Sequence, residues 1–111
     1  MSKITAQELS AMSASMYGDM VKAVVDLKKK LLIVDAEMHV DEEQFLLESG
    51  SKQEDLWGIN LYPNKFGTDQ FVEFDSMINI RPRQNNKSRS VEDEATRKEI
   101  INLVQGIVAD E

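Results

Sequence analysis

The chain reads INLYP at residues 59–63 and INIRP at residues 78–82, and these two similar segments decide how the fold is interpreted. In both, apolar residues alternate with an asparagine, and a period of two is typical of a half-buried strand. The only two prolines, Pro63 and Pro82, close the segments, and proline ends a strand because it cannot donate to the ladder. We therefore predict two strands that place Asn60 and Asn79 on the face opposite the apolar side chains.

Around these segments the sequence predicts strands at 56–62 and 70–81, joined by a turn at 63–69 that contains Pro, Asn and Gly. Pairing Ile59 with Phe74 puts every apolar side chain of both strands on one face. The predicted inward residues are Trp57, Ile59, Leu61, Val72, Phe74, Ile78 and Ile80. The predicted outer face carries Asn60, Tyr62, Glu73, Asp75, Asn79 and Arg81.

An earlier hairpin is predicted from strands at 20–27 and 31–38 around the turn Lys28-Lys29-Lys30. Leu27 opposite Leu32 is a register that directs both apolar faces to one core. The same register sets Lys22 opposite Glu37 on the outer face.

Three helices complete the prediction. The first covers 5–17, opened by a capping box from Thr5 to Glu8. The second is a short helix that begins at the acids 41–43 and ends at Gly50, and residues 51–54 form a single turn or tight loop after it. The last follows a cap in 90–93 and carries an apolar stripe through Ile100, Ile101, Val104 and Ile107. The basic stretch 81–90 between strand and helix is predicted as a loop.

The order of elements is thus helix, two strands, helix, two strands, helix. It predicts an α+β fold with a four-stranded, mainly antiparallel sheet and the C-terminal helix packed on its apolar face. At 111 residues and 41% hydrophobic content, the chain forms a single domain, 1–111, able to bury an ordinary core.

Composition excludes several classes of function. The chain has no cysteine, which excludes disulfides, thiol catalysis and cysteine-ligated zinc. A net charge of −7 argues against broad attraction to nucleic acid or to an anionic membrane. Apolar runs too short to span a bilayer, and an N-terminus without a signal peptide, predict a cytoplasmic location.

Residues 19–26, 50–63 and 78–86 resemble a family of small prokaryotic proteins catalogued as a domain of unknown function. The resemblance extends over nearly the full chain. It implies a compact single domain and carries no activity, cofactor or catalytic residue over to this sequence.

The residues with the clearest binding potential are Asn60, Tyr62, Asn79 and Arg81 on the predicted outer face, with Arg83 in the loop that follows. Asparagine is depleted in strand interiors, and arginine binds anions through paired hydrogen bonds. A solvated strand face and a hydrophilic connector are the structural alternatives. We predict a non-catalytic binding module whose partner is a protein or a small anionic ligand, with no cofactor and no membrane partner.

Two other functions remain open. Arg81, Arg83, Lys87 and Arg89 in the loop 81–89 could hold nucleic acid or a nucleotide phosphate, although the acidic charge does not favour it. The only histidine, His39, could serve a hydrolase with Glu37 or Asp41. We expect His39 instead to be a surface or strand-end residue, because the neighbouring carboxylates alternate in direction and no second histidine completes a zinc set. No catalytic or metal-binding residue is therefore assigned.

Overall fold

A computed structural model of the chain describes residues 4–5, 7–9, 11–12, 20–34 and 38–109. Four strands form an antiparallel sheet in the order β3-β2-β4-β5, and a separate parallel pair joins β1 to β6. The α+β class and the four-stranded sheet are as predicted. The bounds are β1 Ile4–Thr5, β2 Val21–Asp26, β3 Leu31–Ile33, α1 His39–Glu48, β4 Leu56–Leu61, β5 Val72–Glu73, α2 Glu94–Ile107 and β6 Val108–Ala109.

The first hairpin forms around the lysine turn as predicted, with a register shifted by two residues. Val25 pairs with Leu32, whereas the sequence favoured Leu27 for that position. A shift of two keeps every side chain on its predicted face, because side chains alternate with a period of two. Asp26 fixes the turn, since its Oδ1 accepts the backbone N–H groups of Lys28 and Lys29, each at 3.0 Å. The predicted Lys22–Glu37 pair lies outside the described residues.

The central strand β4 pairs with β2 along its whole length and with β5 at its end. Asn60 lies opposite Glu73 and Leu61 opposite Val72. This is the predicted register, since Ile59 opposite Phe74 continues the same pairing. The odd-numbered residues of β2 and β4 are buried in one cluster with Ile100 and Val104 of α2. The prediction that the C-terminal helix covers the apolar face is therefore confirmed.

The opposite face of the sheet, predicted to be a polar face that binds a partner or is solvated, is also covered. Val24 of β2 and Leu56 of β4 pack against Leu46 of α1 in a second, smaller cluster. Asn60, on the same face of β4, is only 5% exposed. The sheet thus lies between two helices, and the alternative of a solvated outer face is wrong over most of β4.

The segment INIRP is not a strand. β5 ends at Glu73, and Met77–Asn79 form a 3-10 turn that Ser76 caps by accepting the N–H of Ile78 at 3.3 Å. Ile80, predicted to be core, is 39% exposed because the turn rotates it away from the sheet. Three alternating residues are compatible with a strand and with a tight turn alike, and here the serine cap stabilises the turn.

The helices agree with the prediction in order and differ in detail. Residues 7–9 and 11–12 are helical, whereas Thr5 belongs to β1, and the rest of the predicted 5–17 helix lies outside the described residues. Asp93 is the cap of α2, accepting the N–H of Thr96 at 2.9 Å. Residues Gln53–Asp55 make the predicted single turn. Within the part of the chain that the structure describes, no helix is long and apolar enough to cross a membrane.

Two glycines provide a matched test of how closely the Met77–Asn79 turn approaches the sheet. A Cβ at Gly58 would lie 2.6 Å from the side chain of Ser76, whereas one at Gly106 of α2 would meet nothing within 4 Å. We expect Gly58→Ala to lower the free energy of unfolding by about 1–3 kcal/mol through overpacking. Gly106→Ala should raise it by about 0.5–1 kcal/mol, because alanine is the better helix former.

Urea denaturation of both variants measures the two effects. Equal stability of Gly58→Ala and wild type would show that the turn does not press on β4.

Candidate functional site

A cleft of about 410 Å³ opens on the α1 side of the sheet, between the start of α1, the end of β4 and the segment 73–78. It brings together two of the five predicted site residues, Asn60 and Tyr62. Polar groups that the prediction did not assign to a site also line it, as do apolar side chains at its rim. The lining residues are Met20, Lys22, Met38, His39, Val40, Asn60, Tyr62, Glu73, Asp75, Ser76, Met77, Ile78 and Arg89.

Asn60 and Tyr62 meet on one carboxylate. Oε1 of Glu73 accepts the Asn60 Nδ2–H at 2.8 Å and the Tyr62 hydroxyl at 2.9 Å. Asn60 Nδ2 also approaches the carbonyl of Asp75 at 3.4 Å, so both of its acceptors fix the orientation of the amide. Its Oδ1 is buried, and no donor among the described residues reaches it. The sequence register had placed Glu73 opposite Asn60, so this contact was accessible to sequence reasoning.

His39 is buried at the inner end of the cleft, which corrects the expected surface position. It is 7% exposed, and its Nε2 lies 2.7 Å from the carbonyl oxygen of Ile59. A carbonyl only accepts, so Nε2 carries the proton and Nδ1 holds the lone pair of the neutral ring. Burial lowers the pKa of His39 below its ordinary value of 6.5, and the nearby charge of Lys22 adds to the effect.

Charges of both signs line the outer part of the cleft. The Arg89 Nε donates to Asp75 Oδ1 at 2.6 Å in an exposed ion pair. Lys22 and Glu73 supply one further charge of each sign. The lining is therefore balanced, so the cleft does not favour a plain anion.

Asn79 does not share this cleft. It is fully buried, and its side-chain amide pairs with the backbone of Gly58: Oδ1 accepts the N–H at 2.8 Å, and Nδ2 donates to the C=O at 2.9 Å. Nδ2 also donates to the carbonyl of Arg89 at 2.9 Å. The amide therefore occupies the position that a strand next to β4 would take, which leaves it no group for a ligand.

Arg81 is held in the same way. Its guanidinium donates to the carbonyls of Gln53 and Leu56, the latter at 2.5 Å, and stacks over the Trp57 ring at 4.1 Å. The expected anchor for an anion is thus bound to backbone oxygens inside the protein. Arg83 lies in the exposed 3-10 turn Pro82–Gln84, away from the cleft.

The loop 81–90 is organised by Asn86, a residue that the sequence analysis did not single out. Its Nδ2 donates to the carbonyls of Asn79 and Ser90, both at 2.7 Å, and its Oδ1 accepts the N–H of Glu92 at 2.8 Å. These hydrogen bonds to one side-chain amide hold the loop closed around it. Only a structure reveals this closure, because asparagine is common in ordinary loops.

A larger groove of about 670 Å³ lies at the other end of β4, beside Trp57 and the start of α2. Its lining includes five carboxylates, from Glu54, Asp55, Glu92, Asp93 and Glu99. Asp93 is occupied as the cap of α2, and Glu92 accepts the backbone N–H groups of Lys87 and Ser88. Across the described ranges, no three His, Cys, Asp or Glu side chains are grouped so as to hold a metal ion.

A comparison of variants at Arg81 and Arg83 tests whether Arg81 has a structural role or an anion-binding role. Arg81→Lys keeps the charge but loses the paired donors to Gln53 and Leu56, so we expect a loss of about 1.5–3 kcal/mol in the free energy of unfolding. Arg83→Lys is the matched control at an exposed position and should stay within about 0.5 kcal/mol of wild type. Equal stability of the two variants would contradict the structural role of Arg81.

His39 makes stability depend on pH in a direction fixed by its lowered pKa. The unfolded chain binds the proton more readily than the folded protein, so stability is full above 6.5 and falls as the pH drops below that value. His39→Gln should remove this fall. The measurement is the difference in unfolding free energy between wild type and His39→Gln from pH 8 to pH 5. Taking the difference removes the pH dependence that carboxylates contribute equally to both proteins. If this difference stayed constant from pH 8 to pH 5, the lowered pKa of His39 would be contradicted.

Comparison with known proteins adds the family. No match was found among the curated proteins or among the solved structures. A family model described as "Protein of unknown function (DUF5674)" matches residues 1–107, nearly the full chain. The match agrees with the resemblance noted in the sequence and carries no activity. The chain belongs to this family of proteins of unknown function.

Proposed function

We propose that the protein is a non-catalytic binding module and that its ligand occupies the cleft of Asn60, Tyr62 and Glu73. The convergence of these polar groups in one concave site is the observation that supports the proposal. Ligand sites typically combine apolar walls with a few placed polar groups, and this cleft has Met38, Val40 and Met77 at its rim. Such methionines adapt to ligands of irregular shape.

The hydrogen-bonding groups of the cleft indicate the kind of ligand. Glu73 and Asp75 present carboxylate oxygens that accept hydrogen bonds from a ligand. The positive charge of Lys22 attracts a carboxylate or carbonyl oxygen of the ligand. A small zwitterionic or amide-bearing molecule with an apolar part, such as a peptide end, matches this set.

The geometry gives less support to the two alternatives. For a phosphate binder, the guanidinium of Arg81 is already bound to carbonyls and that of Arg89 to Asp75, which leaves Arg83 and Lys87 exposed. For a hydrolase, Asp41 lies on the exposed side of α1 while His39 lies on the buried side. Glu37 is outside the described residues.

A cytoplasmic location, expected from the sequence, forms part of the same proposal.

The proposal is tested by identifying the ligand and then altering the cleft. Native mass spectrometry of the purified protein, together with a fragment screen by NMR, identifies molecules that shift the amide signals of residues 60–62 and 73–76. For the molecule that binds most tightly, Tyr62→Phe and Glu73→Gln should each weaken binding by about ten-fold or more. Glu73→Gln removes the carboxylate charge that strengthens a hydrogen bond from the ligand, and Tyr62→Phe removes the hydroxyl that holds this carboxylate in place. Glu54→Gln lies in the larger groove beside Trp57 that carries five carboxylates, which we call the acidic groove. It is the matched control and should bind like wild type.

Two results would contradict the proposal. Fragments that shift only the signals of the acidic groove would place the binding site there. Turnover of a bound fragment that is lost in His39→Gln would replace the binding module with an enzyme.

A further inference from the structure

The methionines that the structure describes gather at the cleft. Three of these four residues, Met20, Met38 and Met77, line it. Met77 is 65% exposed and Met38 is 53% exposed, although methionine is usually a buried residue. The fourth, Met12, is partly buried and packs against the larger core cluster between the sheet and α2. The two most exposed thioether side chains among the described residues therefore lie at the rim of the proposed binding site.

The sulfur chemistry of this protein is confined to its methionines, because the chain has no cysteine. Hydrogen peroxide oxidises a thioether by two electrons: a lone pair of the sulfur takes one peroxide oxygen, the O–O bond breaks, and the other oxygen leaves as water. The product, methionine sulfoxide, is polar, and methionine sulfoxide reductases return it to methionine. An exposed methionine reacts before a packed one, since the oxidant has to reach the sulfur.

The two exposed methionines lie where oxidation spares the fold. Met38 is the N-cap residue of α1, and its side chain makes no capping hydrogen bond. Met77 begins the 3-10 turn, whose cap is made by the side chain of Ser76 and the backbone N–H of Ile78. Neither methionine belongs to a core cluster. Oxidation at these two positions therefore changes the rim of the cleft and leaves the caps and the core in place.

We propose that Met38 and Met77 are sites of reversible oxidation and that their sulfoxides weaken ligand binding in the cleft. Each thioether offers a flexible apolar surface to the apolar part of a ligand, and the sulfoxide replaces it with a polar group. The cleft thereby binds weakly after oxidation and recovers when a reductase removes the oxygen. This regulation rests on the function proposed for the cleft, whereas the choice of the oxidised residues does not.

Peptide mapping by mass spectrometry measures which methionines are oxidised. The full-length protein is treated with hydrogen peroxide for increasing times, and the sulfoxide content at each methionine is followed. We expect Met38 and Met77 to be oxidised at least about five-fold faster than Met12, with unchanged thermal unfolding. Methionine sulfoxide reductases A and B, one for each epimer of the sulfoxide, should restore both residues in the presence of a thiol reductant.

The effect on binding is measured with the dipeptide leucyl-leucine, a zwitterion with apolar side chains. An NMR titration follows the amide signals of residues 60–62 and 73–76. Oxidation of Met38 and Met77 should weaken binding by about ten-fold or more, since burial of one methionine side chain contributes about that factor. Treatment with the two reductases should restore the affinity.

Leucine variants assign the effect to these two residues. Leucine has no sulfur and nearly the volume of methionine. The double variant Met38→Leu with Met77→Leu should therefore have the same affinity before and after peroxide, whatever that affinity is. Met12→Leu is the matched control, and it should lose affinity on oxidation as the wild type does.

Three results would overturn this inference and leave the cleft proposal standing. They are oxidation of Met12 as fast as that of Met38 and Met77, an unchanged affinity for the dipeptide once both are oxidised, and a peroxide effect that persists in the double leucine variant. A different result separates the two proposals. If the dipeptide does not bind the untreated protein, the peptide-end ligand proposed for the cleft is contradicted, and the regulation falls with it.

Discussion

The fold depends on which groups form hydrogen bonds with the backbone at the outer edge of β4 beyond the end of β5. On this edge the backbones of alternate residues face away from β2: Tyr62 bonds to Phe71, Asn60 pairs with Glu73 of β5, and Gly58 and Leu56 come next. No strand follows to pair with them. The side-chain amide of Asn79 makes the two hydrogen bonds with the Gly58 backbone that a residue of a neighbouring strand would make. The guanidinium of Arg81 donates to the carbonyl of Leu56. Buried backbone groups require such partners, and here side chains provide them.

Several other features follow from this substitution. The approach of the 76–79 segment is possible because residue 58 has no side chain to obstruct Ser76. The carbonyl of Asn79 accepts from Asn86, so the irregular loop 81–90 is anchored to the same point. Ser76, Met77 and Ile78 form one wall of the cleft. The candidate site is thus shaped by the residues that close the edge of the sheet.

The sequence predicted the elements that depend on local patterns. The lysine turn, the register of β4 with β5 and the apolar stripe of α2 follow from alternation, helical spacing and turn residues. It also placed Asn60 and Tyr62 together, since both lie on one side of β4. These inferences required no knowledge of distant contacts.

The errors arose where distant contacts decide the conformation. INIRP resembles INLYP, yet Asn79 is held by a residue 21 positions away and adopts a turn. Alternation shows on which side a side chain lies, but not what covers it, so the burial of Asn60 and His39 was missed. The helix α1 was recognised from its acids and Gly50. Its pattern of burial was not, because Glu42 and Glu43 are buried while Phe45 is exposed.

That pattern also affects how the protein opens. Leu46 is the only apolar side chain among the four residues that α1 buries, so little hydrophobic free energy attaches this helix to the sheet. Cooperative units with few buried apolar contacts unfold locally at a lower cost than the whole protein. The amides of α1 should therefore exchange with solvent deuterium through a partial opening, while those of β2 and β4 wait for global unfolding. Because α1 also walls the cleft, each such excursion would momentarily widen the entrance to it.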